Sequence, residues 1–188
     1  MKPSANKSRK IILFPLGGIE ESIVHSAAAF LENLHHFPFK CVVTNRRPIP
    51  IGTLDNQRQQ YNCKQILKYY IKCCPDNCFR LIGITDVDVY VPVLKYVFGL
   101  AQLKGNCAII STHRLRPEFY CKPSNKWLFQ QRLYKTLLHE LGHTVGLTHC
   151  SNRRCVMFSS TRIEDTDKKE TSFCGTCREL FSWYLNGI

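Results

Sequence analysis

The run His139-Glu140-Leu141-Gly142-His143-Thr144-Val145-Gly146-Leu147-Thr148-His149 spells HExxHxxGxxH. On a helix, residues four apart share one face, so His139 and His143 can grip a single metal ion. Glu140, beside the first histidine, then lies near enough to work on a metal-bound water. Gly146 is expected to adopt a left-handed conformation that ends the helix and carries His149 back to the same ion. Three neutral imidazoles leave the fourth position of a tetrahedral zinc open, as a catalytic zinc requires. His139, His143 and His149 are therefore the expected ligands of a catalytic zinc, with Glu140 as general base. It would take a proton from the water attacking a peptide carbonyl and pass it to the leaving amine. A bare HExxH arises by chance on helices. Here the glycine, the third histidine and the spacing of Leu133, Leu137 and Leu141 argue against three histidines merely filling a polar groove.

Directly behind this run lie Cys150 and Cys155, then Cys174 and Cys177 in a Cys-Gly-Thr-Cys knuckle. Four thiolates close a tetrahedron, so this set reads as a structural zinc site. Two disulfides are the alternative, but the close pair at 174 and 177 suits a metal better. Because Cys150 follows His149, the structural site is expected to steady the third catalytic ligand. Two zinc ions per chain follow.

Upstream, strands and helices alternate. Strands are expected at 10–16, 39–44 and 80–91, and helices at 20–34 and 57–72, with a loop at Pro48, Pro50 and Gly52. Residues 96–112 supply one or two more strands, turning at Lys104-Gly105-Asn106. Ser124 or Asn125 is placed to cap the active-site helix. This order indicates α/β architecture with a mostly parallel sheet. The C-terminal part is read as the cysteine framework, a charged loop at 161–171 and a last helix with Leu180, Phe181, Trp183 and Tyr184. Residues 1–8 are basic and expected to be disordered. Residues 9–188 are expected to form one catalytic domain, divided into 9–146 and 147–188.

The 188 residues, 44% hydrophobic, suit a globular domain with its own core. No stretch approaches the roughly 20 apolar residues that span a bilayer, so no membrane partner is expected. The formal charge of +12 is spread thinly, with short clusters at 7–10, Arg46-Arg47 and Arg153-Arg154, and reads as a solvated surface. Pro15, Gly17 and Gly18 interrupt the apolar run at 11–19, and Glu20-Glu21 ends it, unlike a signal peptide. A cytoplasmic location is expected, with secretion the minor alternative. The remaining seven cysteines are then thiols, Cys73, Cys74 and Cys78 among them. Asp86 and Asp88 read as a solvated or hydrogen-bonded strand end, with a paired-carboxylate function the alternative. Tyr120 and Tyr134 are candidate oxyanion helpers that nothing in the spacing selects.

The HExxHxxGxxH run resembles that of the metzincin metalloproteases. The CxxxxCxM…CxxC pattern of Cys150, Cys155, Met157, Cys174 and Cys177 is similar to that of the archaemetzincins. Gly83-Ile84-Thr85-Asp86-Val87-Asp88-Val89-Tyr90, Phe98-Gly99 and Ile110-Ser111-Thr112-His113-Arg114-Leu115-Arg116-Pro117 extend the likeness from about residue 10 to the end. The resemblance implies a zincin-like α+β fold with a mixed, mostly parallel sheet, an active-site helix and a small zinc-stapled C-terminal subdomain. It places Met157 in a Met-turn beneath the catalytic zinc, and implies an antiparallel edge strand beside the cleft. The apolar run Ala108-Ile109-Ile110 with Ser111 is expected to be that strand and to bind substrate. The implied activity is zinc-dependent hydrolysis of peptide or protein substrates, and a monomer is expected. Two alternatives are a zinc-stabilised binding protein with little turnover and a nucleic-acid-binding zinc protein. An intact Glu140 argues against the first, and the lack of a basic stripe interleaved with aromatics against the second.

Overall fold

A computed structural model describes residues 9–34, 37, 39–76 and 78–187. The expectation for residues 1–8 lies outside these. A five-stranded sheet in the order β2-β1-β5-β8-β7 forms the centre. Its strands are β1 (Arg9–Leu16), β2 (Phe39–Val43), β5 (Arg80–Thr85), β7 (Gly99–Ala101) and β8 (Cys107–Ser111). β2, β1, β5 and β8 run parallel, and β7 pairs antiparallel with β8 at one edge. The sheet is thus mixed and mostly parallel: the order of elements implied the parallel strands, and the resemblance the antiparallel edge.

Side chains alternate across a strand, and both faces are covered. Ile11 and Leu13 of β1, Ile82 and Ile84 of β5, and Ala108 and Ile110 of β8 pack toward the side of α1 (Glu21–Glu32), α3 (Lys126–Val145) and α5 (Gly175–Asn186). Ile12, Phe14, Leu81 and Ile109 face α2 (Cys63–Ile71) on the other side. Burial on both faces explains strands that are apolar throughout.

Several expectations need correction. Residues 57–62 are not helical. They form a turn and the short strand β4 (Gln60–Asn62), which pairs with β3 (Leu54–Asp55) and β6 (Val89–Tyr90) in a second sheet. Asn62 caps α2, its side chain accepting from Gln65 N at 3.3 Å. The expected strand at 80–91 is broken at Asp86, where the chain leaves the large sheet for the small one. Residues 163–168 form a helix, α4 (Ile163–Lys168), within the expected charged loop. Most consequentially, the strand carrying Ala108, Ile109, Ile110 and Ser111 is not an edge. It is buried between β5 and β7 with its backbone paired on both sides, and the free edge belongs to β7. Among the described residues, no helix is long and apolar enough to cross a membrane.

Candidate active site and metal centres

Asn125 starts α3 by accepting a hydrogen bond from Leu128 N at 2.9 Å. Gly146 ends the helix with φ +125°. Leu133, Leu137 and Leu141 are buried against the sheet, while His139, Glu140 and His143 face a cleft of about 750 Å³. Its other wall is the segment 91–101 with β7, and His149 and residues 159–161 close it from the C-terminal side.

The Nδ1 atoms of His139 and His143 lie 2.8 Å from the carbonyls of Val156 and Leu147. A carbonyl can only accept, so each Nδ1 carries the proton and each Nε2 presents a lone pair. Burial lowers the pKa of His139 far below the usual imidazole value, and those of His143 and His149 as well, keeping the rings neutral. The two Nε2 atoms stand 3.1 Å apart, an arrangement of facing lone pairs that a cation relieves. Tetrahedral zinc, with Zn–N near 2.0–2.1 Å, sets its ligands about 3.3 Å apart. Candidate ligand nitrogens of all three histidines fall within 4.8 Å of one another. The residues fit the ion.

The sulfurs of Cys150, Cys155, Cys174 and Cys177 also lie within 4.8 Å of one another. Cys150 Sγ and Cys174 Sγ are 3.9 Å apart, against about 3.8 Å for thiolates around zinc with Zn–S near 2.3 Å. Backbone N–H groups of Asn152 and Cys174 point at Cys150 Sγ and Cys155 Sγ, both at 3.4 Å. All eleven cysteines are free. No third metal-like cluster exists among the described residues, so Cys73, Cys74 and Cys78 form no such site.

Met157 is fully buried under α3. A Cβ at position 142 would stand 2.5 Å from its Sδ. The glycine therefore makes room for this thioether. The Met157 carbonyl accepts from Cys150 N at 3.0 Å, tying the cysteine framework to the floor of the histidine site. Gly99 of β7 is equally constrained, since a Cβ there would lie 2.8 Å from Glu140 Cγ.

Glu140 is buried, and burial raises its pKa to about 8 against the opposing charge of Lys169. Lys169 went unnoticed in the sequence, inside what reads as a solvated loop. It is buried at the cleft, and burial lowers its ammonium to about 8. Tyr120 and Tyr134 do not line the cleft. Their hydroxyls meet the Arg114 carbonyl at 2.9 Å and Ser26 Oγ at 2.7 Å. Asp88 receives both Arg114 Nε and Nη2, at 2.7 and 2.6 Å, and is a structural anchor.

Comparison with known proteins gives a consistent result. The family model for Peptidase family M54 matches residues 20–182. The archaemetzincin of Methanocaldococcus jannaschii is 38% identical over 169 residues, covering 89% of this chain and 90% of that one. That of Saccharolobus solfataricus is 36% identical over 181 residues, covering 94% and 96%. Among solved structures, the archaemetzincin of Methanopyrus kandleri matches with a TM-score of 0.84 at 30% identity, covering 98% of this chain and 99% of that one.

Proposed function

The chain belongs to peptidase family M54 and is a zinc metalloprotease, and from that premise we propose that it cleaves peptide bonds with Glu140 as general base. His139 and His143 would hold the ion through Nε2, with His149 as the third ligand. Zinc bound there supplies Lewis acidity toward the substrate carbonyl and lowers the pKa of water to about 7. Glu140 accepts a proton from the attacking water and returns it to the leaving amine. Both transfers favour a group that titrates near the working pH, and burial moves Glu140 in that direction. Lys169 helps keep the carboxylate charged.

The substrate lies extended along β7, whose outer edge offers unpaired backbone N–H and C=O groups. This role passes to Gly99–Ala101 from the buried strand at 107–111, which supports β7 from behind. The bare Gly99 lets a backbone approach Glu140 closely. The four cysteines hold a second, structural zinc that braces His149 through its neighbour Cys150 and the Cys150–Met157 hydrogen bond. The observation that carries the reading is the pair of Nε2 lone pairs 3.1 Å apart, with both Nδ1 atoms already committed.

An unbiased peptide-library digest comparing wild type with Glu140→Gln tests it. The variant should keep its zinc and fold and lose about 10²–10⁴-fold in rate. Cleavage by the variant at the wild-type rate would rule Glu140 out as the base.

A further inference from the structure

Lys169 is 5% exposed and forms no ion pair among the described residues. Its Nζ donates to the carbonyls of Val156 at 3.1 Å and Phe158 at 2.7 Å. An ammonium has three donors, so one remains. Buried ammonium groups are costly to keep unless a counter-charge is at hand. Glu140, the sole carboxylate among the described residues lining the cleft, stands beyond ion-pair distance.

Beside it is a second unmet demand. Ser160 Oγ is buried with no hydrogen-bond partner. It lines the same cleft as Lys169 and lies two residues beyond the Phe158 carbonyl that Lys169 holds. Thr136, which also lines the cleft, has its hydroxyl committed to the Arg132 carbonyl at 2.9 Å. An ammonium with a donor to spare and an orphan hydroxyl therefore line the same cleft. A carboxylate satisfies both through charge-assisted hydrogen bonds. A neutral amide answers the charge poorly, and a cationic side chain is repelled.

We propose that Lys169 and Ser160 form a carboxylate-recognising subsite, so that the enzyme favours substrates carrying a carboxylate next to the scissile bond. The inference rests on the peptidase reading above. The carboxylate comes either from an Asp or Glu side chain or from the free C-terminus of a short peptide.

Matched peptides with Glu, Gln or Lys on either side of the cleaved bond distinguish the first source. Free-acid and amide forms of peptides cut one residue from the C-terminus distinguish the second. In wild type, kcat/KM should favour Glu over Gln, or free acid over amide, by about tenfold or more, the range expected of hydrogen bonds to a charged group. Lys169→Met should bring that ratio to within about twofold, whatever happens to the overall rate. Ser160→Ala should reduce it partway, and it serves if Lys169→Met fails to fold. Equilibrium titration of the same peptides into zinc-loaded Glu140→Gln should show the same preference without turnover. A wild type that cleaves peptides with no preference for either carboxylate, or a preference that survives Lys169→Met, would overturn the subsite. A wild type that cleaves none of them would count against the peptidase reading instead, and the titration would still decide the subsite.

Discussion

A methyl group at position 142 would sit 2.5 Å from Met157 Sδ, closer than real Cβ atoms come to sulfur. Alanine there gains about 1 kcal/mol of helix propensity, but overpacking a filled core costs about 1–3 kcal/mol. Gly142→Ala is therefore expected to destabilise the protein and to push Met157 out from under the helix, weakening zinc retention at the histidine site. Denaturant melts and zinc content after dialysis check this; a more stable variant with full zinc content would contradict it. At this scale, the groupings of three histidines and four cysteines were legible because metal ligation imposes spacing on sequence. Lys169 was not. Its burial comes from the packing of residues 156–169 over the cleft, and no local pattern separates it from the solvated lysine next to it, Lys168.

The elements read best where periodicity and capping agreed. β1, α1, β2, α3 with its Asn125 cap, and the β7–β8 hairpin turning at 104–106 all follow the pattern. Residues 57–62 did not, because they are held by distant partners. Arg58 Nη2 donates to the Leu94 carbonyl at 3.0 Å, and Gln60 Nε2 to Asp88 Oδ2 at 2.9 Å. The placement of β8 inside the sheet was within reach, since a strand buried at all five positions fits an interior place better than an edge. Asp88 joins the small sheet to the segment after β8. Burial alone would raise its pKa, but the bonds from Arg114 and Gln60 outweigh burial and hold it below the usual carboxylate value. A depressed carboxylate contributes stability above its unfolded pKa of about 3.9 and loses it as pH falls through the folded value. Wild type should thus exceed Asp88→Asn in stability at pH 7, with the gap closing below about pH 3.9. Urea unfolding of both proteins at pH 7 and in acid checks this. A gap that stays constant would remove Asp88 from the acid limb.

Across the whole molecule, a sheet covered on both faces carries α3, and the C-terminal elements pack onto that helix. Cys177, Phe181 and Leu185 of α5 join the same core as Leu137 and Leu141 of α3. Structural zinc contributes folding free energy directly, so Cys174→Ser should lower Tm and release one zinc, with activity falling as His149 loosens. An unchanged Tm with full metal content would refute the assignment. The central claim, two zinc sites of different chemistry in one chain, is tested most directly by zinc-edge X-ray absorption on protein purified without chelator and quantified for metal. The account predicts two zinc ions per chain and two ligand shells, nitrogen or oxygen at about 2.0–2.1 Å and sulfur at about 2.3 Å. A single zinc per chain, or a spectrum with only one of the two shells, would contradict it.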